Sequence, residues 1–166
     1  MTNTNQATIT TEQEPFTATP AAAPTPAAGL ATYRGSCACG AVRFEADIDL
    51  QAGTTRCNCT LCTKAGLWGV TIAPSAFRLL AGEDNLTDFQ RGAKIGHFVF
   101  CKTCGVRPFG HGDAPWMNGR YVSVQLTSLD DADLSSVPVR YFDGRHDNWE
   151  NPHVERAPAR MFWVRP

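Results

Sequence analysis

The chain has 166 residues, the length of one average domain with one modest core. Fifteen Lys and Arg against sixteen Asp and Glu give a formal charge of −1, which supplies no field for gathering nucleic acid or an anionic membrane. No apolar run approaches the roughly 18 residues needed to cross a bilayer, so neither a nucleic-acid partner nor membrane association is expected.

From the first residue, composition divides the chain near position 31. Residues 1–30 hold eight Thr, seven Ala and four Pro with no Lys or Arg, too little apolar surface to offset the entropy of ordering, and they are expected to be a disordered tail. Their polar start lacks the basic and apolar regions of an export signal, so a cytoplasmic protein with reduced thiols is expected. The domain expected over 31–166 carries fifteen basic and fourteen acidic residues and is also nearly neutral. Short β-rich runs follow at 41–46, 67–72, 77–80, 97–100, 121–126 and 137–142, punctuated by Gly, Pro or Asp, with one helical turn at 74–77. No segment has a long helical period, and a mainly β, small antiparallel domain is predicted.

Seven cysteines, an odd number, interrupt these runs: Cys37, Cys39, Cys57, Cys59, Cys62, Cys101 and Cys104. Each lies within three residues of another, a clustering that metal ligation explains better than packing or disulfides. Cys37-Ala-Cys39-Gly40 and Cys101-Lys-Thr-Cys104-Gly105 are two hooks, each ending on a Gly that can take left-handed backbone. Together they predict a closed four-cysteine structural site that staples distant parts of the chain. Cys57-Asn-Cys59-Thr-Leu-Cys62 offers only three thiolates, and three protein ligands are the pattern of a zinc with an open position. The competing reading fills that position with His97 or, better, His111, and makes the site inert.

Gly35 to Glu45, Cys57 to Cys62 and Phe100 to Gly105 resemble, in order and separation, the glutathione-dependent formaldehyde-activating enzyme family, which includes centromere protein V. The likeness spans about residues 33–150, and Lys64, Pro74 to Gly82 and Cys104 to Val106 are more similar to the centromere protein V branch. It implies a β-tent fold with two zinc ions per chain. Cys37, Cys39, Cys101 and Cys104 are assigned to the structural ion and Cys57, Cys59 and Cys62 to the second, catalytic one. It also implies a carbon-sulfur lyase acting on a thiol-aldehyde adduct, of glutathione and formaldehyde in the type reaction.

Three thiolates on a zinc dication leave a formal charge of −1, a centre better suited to holding a thiolate than to making hydroxide. A small thiol such as glutathione is therefore the expected partner, with Arg56, Lys64 and Arg107 as candidate cations for its carboxylates. Trp68 is a candidate apolar wall, although strand aromatics are more often core. The run Arg145 to Trp149 after the Asp143-Gly144 turn is expected to be a structural loop, with His146 the proton shuttle if the loop covers the open site. The alternative function is a non-catalytic zinc-stabilised binding module. An exchangeable fourth ligand at the three-cysteine site would separate the two.

Overall fold

A computed structural model describes residues 29–148 and the backbone of a two-residue strand at His153–Val154. Apart from Gly29 and Leu30, the predicted tail lies outside the described residues, as does Trp149.

Eleven strands are described: β1 (Ala31–Ser36), β2 (Arg43–Ile48), β3 (Thr54–Cys57), β4 (Trp68–Ile72), β5 (Phe77–Ala81), β6 (Leu86–Gln90), β7 (Gly96–Cys101), β8 (Phe109–Ala114), β9 (Gly119–Gln125), β10 (Val139–Phe142) and β11 (His153–Val154). They form a three-stranded sheet in the order β1-β2-β5 and an eight-stranded sheet in the order β11-β10-β3-β4-β9-β8-β7-β6. The mainly β prediction holds. One pairing differs from the antiparallel expectation, because β10 runs parallel to β3, with Phe142 opposite Cys57. Parallel pairing needs a long crossover, and nearly the whole large sheet lies between these two strands in sequence.

Each run predicted as strand overlaps one, with ends that differ by up to two residues, and a 3-10 turn at Pro74–Ala76 stands where the helical turn was expected. β1, β3, β6, β8 and the five-residue helix α1 (Thr60–Lys64) carry no strong pattern of their own. Glycines thin β8, and α1 is shorter than two turns, too short to display a helical period.

The two sheets meet through aromatic rings. Phe44 of β2 stacks on Phe77 of β5 at 5.3 Å, and Phe77 lies 4.6 Å from Phe109 of β8 in the large sheet. Phe44, Phe109, Val122 and Val124 are essentially excluded from solvent, and each such side chain contributes about 1.5–3 kcal/mol. Strand alternation then sorts β7 into two faces: His97, Val99 and Cys101 point inward and are buried, while Phe98 and Phe100 are half-buried on the other side.

Three ion pairs among the described residues join the strands of the small sheet, Arg34 and Arg78 each to Glu45 and Arg78 to Asp47, and the last is the shortest. Arg78 of β5 donates from Nη1 and Nη2 to Asp47 of β2 at 2.8 and 3.0 Å, both side chains at most 10% exposed, and Thr32 Oγ1 donates to the same carboxylate at 2.6 Å. The hydrogen bonds from Arg78 hold the Asp47 carboxyl below its ordinary range, against the opposing effect of burial. Asp47→Asn should cost about 3 kcal/mol at neutral pH, since it leaves the buried Arg78 guanidinium with only the longer 3.4 Å contact to Glu45 Oε2 as counter-charge. A carboxyl depressed in the folded state stabilises above its unfolded pKa of about 3.9 and ceases to do so as pH falls below it. Denaturant titration should therefore show the gap between wild type and variant level from pH 8 to about 5 and narrowing below about 4; a gap independent of pH throughout would remove the pair from the account.

Candidate metal centre and adjoining groove

The two predicted hooks have nearly the same backbone. Cys37 N–H donates to Val42 O at 3.1 Å, and Cys101 N–H to Val106 O at 2.9 Å. Gly40 and Gly105 both sit at φ +72°, the left-handed region where glycine avoids the Cβ penalty. One hook is the turn of the β1-β2 hairpin and the other caps the end of β7, so their meeting joins the two sheets. The four Sγ atoms of Cys37, Cys39, Cys101 and Cys104 lie within 4.8 Å of one another, with Cys39 Sγ 3.5 Å from Cys37 Sγ and 3.6 Å from Cys101 Sγ.

These separations fit a metal. Sulfurs about 2.3 Å from a tetrahedral zinc stand about 3.8 Å apart, whereas a disulfide needs about 2.05 Å; all seven cysteines are free. N–H donors also face the sulfurs, as around bound thiolates: Val42 N to Cys37 Sγ at 3.3 Å and Asn85 Nδ2 to Cys101 Sγ at 3.0 Å. Asn85 is a supporting residue that sequence reading missed. Its own Oδ1 accepts from Thr103 Oγ1 at 3.2 Å and its carbonyl from Lys102 N–H at 2.8 Å, so it fixes the second hook.

The three-cysteine group stands where β3 passes into α1. Cys57 ends β3, and Cys59, extended at φ −64° and ψ 159°, is the N-cap of α1, its sulfur accepting from Cys62 N–H. That cap returns the chain sharply enough to bring Cys62 back, and the three Sγ atoms lie within 4.8 Å of one another, all half-buried. Among the described residues no His, Asp or Glu ligand atom joins them. The hydrogen bond with Cys62 draws the Cys57 thiol down to about 5, and the same bond pushes Cys62 up. Within the pair Cys57 is therefore the sulfur that ionises first, and the thiolate is the form that binds a metal.

His97 and His111 are engaged elsewhere. Their rings stack at 4.3 Å and 9° across β7 and β8, His97 Nδ1 meets Asp88 Oδ2 at 2.6 Å, and burial holds His111 down to about 4. Neither histidine belongs to the three-cysteine group.

The loop after β10 does reach the cluster. Asn58, buried between Cys57 and Cys59, donates from Nδ2 to Asp143 Oδ1 at 2.6 Å and accepts Arg145 N–H at 2.9 Å on Oδ1, while Gly144 N–H supports the Cys57 thiolate. Asp143 also meets His146 Nδ1 at 2.8 Å. Sequence reading passed over Asn58, whose only signal was a polar residue inside the cysteine motif.

The three candidate cations separate. Arg56 lies over the Trp68 ring at 4.4 Å, and Trp68 itself packs against the core, its Nε1 donating to Thr54 Oγ1 at 2.8 Å. Arg107 lies over Phe98 at 4.7 Å and close enough to Cys62 to feel its charge. Lys64 is exposed in the last turn of α1. In both arginines Nε is buried without a hydrogen-bond partner. Beside α1 an open groove of about 660 Å³ is lined by Leu61, Ala65, Phe98 and Arg107 among others.

A family model described as glutathione-dependent formaldehyde-activating enzyme matches residues 32–143, a span that contains all seven cysteines. A crystal structure of a Rhodobacter sphaeroides protein, solved as a structural-genomics target, superposes with a TM-score of 0.54 at 31% identity, covering 64% of this chain and 98% of that one. With the cysteine groups in this order and geometry, the chain belongs to the glutathione-dependent formaldehyde-activating enzyme family.

Proposed function

We propose that this protein is a zinc-dependent carbon-sulfur lyase that makes and breaks a thiol-aldehyde adduct, with glutathione and formaldehyde, the pair in the family's description, as the first pair to test. The observation that carries it is the cluster of three thiols with no fourth ligand among the described residues, at the start of a helix whose Leu61 and Ala65 line an open groove.

Cys57, Cys59 and Cys62 would hold the catalytic zinc, and Cys37, Cys39, Cys101 and Cys104 the structural one. When bound at the open site, zinc would lower the pKa of a substrate thiol and hold it as a nucleophilic thiolate. The chain's own groups position the rest of the adduct. Arg56, Lys64 and Arg107 are the cations available to carboxylates. Asp143, itself anchored by Asn58, fixes His146 Nδ1 and leaves Nε2 as the proton acceptor for the adduct's hydroxyl during breakdown, and as the donor in the reverse direction. Asn58 and Gly144 N–H hold loop 143–147 against Cys57, which keeps His146 on the side of the three-cysteine cluster.

Purified protein should carry about two zinc ions per chain and accelerate adduct formation from glutathione and formaldehyde, followed by NMR of the hydroxymethyl protons. A chelator should extract the three-cysteine ion first, since three thiolates hold it where four hold the other, and its fourth position is open to a competing ligand. Two zinc ions leaving together, or a full complement with no acceleration over the uncatalysed rate for glutathione and for the phenyl-bearing thiol acid 2-mercapto-3-phenylpropanoate, would overturn the assignment.

A further inference from the structure

The groove that α1 shares with β7 is lined by none of the three cysteines but by their neighbours in α1 and by Arg107, which is close enough to Cys62 to feel its charge. It has a definite chemical character. One wall is α1, whose Leu61 and Ala65 face it from the same short helix that carries Cys62. The opposite wall is aromatic: Phe89 of β6 with Phe98 and Phe100 of β7. Phe98 and Phe100 face it because strand alternation sends Val99 and Cys101 to the core.

Polar groups in the lining are largely spent within the protein. Gln125 donates from Nε2 to Gly66 O and Thr127 Oγ1, both at 3.1 Å, and accepts Trp68 N–H at 3.2 Å. Ser128 donates to Arg107 O at 3.5 Å. Arg107 is different. Its guanidinium makes no ion pair with any described residue, its Nε is buried and unpartnered, and it is held in place by the Phe98 face and by Gly110. A Cβ at Gly110 would stand 2.5 Å from Arg107 Nη2, so a glycine there is what lets the guanidinium occupy that position. Arg56 and Lys64 do not line the groove.

A ligand here meets one cation and an apolar, ring-lined floor. Glutathione brings two carboxylates, an ammonium group and two amides, more polar groups than this lining can pair. Resting on the lyase reading, and narrowing its thiol, we propose that the groove selects adducts of thiols with an apolar, ring-bearing body and a single carboxylate, the carboxylate pairing with Arg107 and the ring packing on Phe98 and Phe100.

Calorimetric titration of the zinc-loaded full chain would test this with 2-mercapto-3-phenylpropanoate and its amide, glutathione, and the thiol-free 3-phenylpropanoate and its amide. The mercapto acid should bind at least about tenfold more tightly than its amide and than glutathione, the loss expected for one charge-assisted hydrogen-bonded pair. The thiol-free acid should bind more weakly yet keep the same preference over its own amide. Arg107→Gln should abolish the acid's advantage and leave amide binding unchanged. Glutathione binding as tightly as the phenyl thiol, or equal affinity for acid and amide on the wild-type chain, overturns the proposal and leaves the lyase reading standing. Binding of 3-phenylpropanoate with its preference intact, but no thiol bound through sulfur and no adduct turnover, supports the groove's ligand class and sinks the lyase reading instead.

Discussion

Cys101→Ser should leave no cooperatively folded protein. Cys101 is fully buried at the end of β7, where its sulfur meets Cys39 Sγ at 3.6 Å and accepts from Asn85 Nδ2 at 3.0 Å. Its hook and the β1-β2 hairpin come from different sheets, so the ion proposed at this site clamps the small sheet to the large one. A structural zinc contributes about 10–16 kcal/mol in small zinc domains, comparable to or larger than the whole net stability of about 5–15 kcal/mol of an ordinary domain. A serine hydroxyl is a poor replacement for a soft thiolate ligand. Its shorter reach also strands the half-buried Asn85 amide. Circular dichroism should show no thermal transition for C101S, and metal analysis should find both ions gone, because the second site is built from strands that no longer pair. A folded C101S chain that still carries zinc at the three-cysteine site would show that the aromatic interface of Phe44, Phe77 and Phe109 holds the sheets together unaided.

The cysteines made the site largely readable from sequence, because ligand spacing is a local property: each hook closes within six residues, and its glycine marks the turn. What escaped was the support around them. Asn58 and Asn85 act through partners 85 and 16 positions away, pairings that only the fold creates. Strands read well where apolar residues alternate, as in β2 and β9, and poorly where glycine or charge thins the pattern, as in β8 and β6. The parallel join of β10 to β3 follows from the order of strands in the sheet, a long-range choice without a local signature. That join places loop 143–147 against Cys57. Similarly, Arg107 read only as a cation near a hook; the Phe98 face and the space at Gly110 that set its position lie in other strands.

Cys59→Ser should give the opposite phenotype to Cys101→Ser: a folded chain with one zinc and little activity. Cys59 is the N-cap of α1, and its side chain accepts from Cys62 N–H at 3.5 Å. Serine is among the best N-cap residues, so the substitution keeps the local hydrogen bond while removing the thiolate. α1 has no buried residues, and no described group depends on the Cys59 sulfur for packing, so the cost in stability should stay within about 1 kcal/mol, the range of a cap exchange. Two thiolates cannot retain the ion against water and chelators as three do. Thiol-dependent turnover should then fall by at least about 100-fold, the loss expected when the group that activates the nucleophile is removed. The decisive comparison sets zinc content and melting temperature side by side for the two variants. C59S should melt close to the wild type with one ion per chain, at which the four-cysteine site still serves the fold. If C59S instead unfolds as completely as C101S, the three-cysteine ion is a second staple, and catalysis must be sought elsewhere in the molecule.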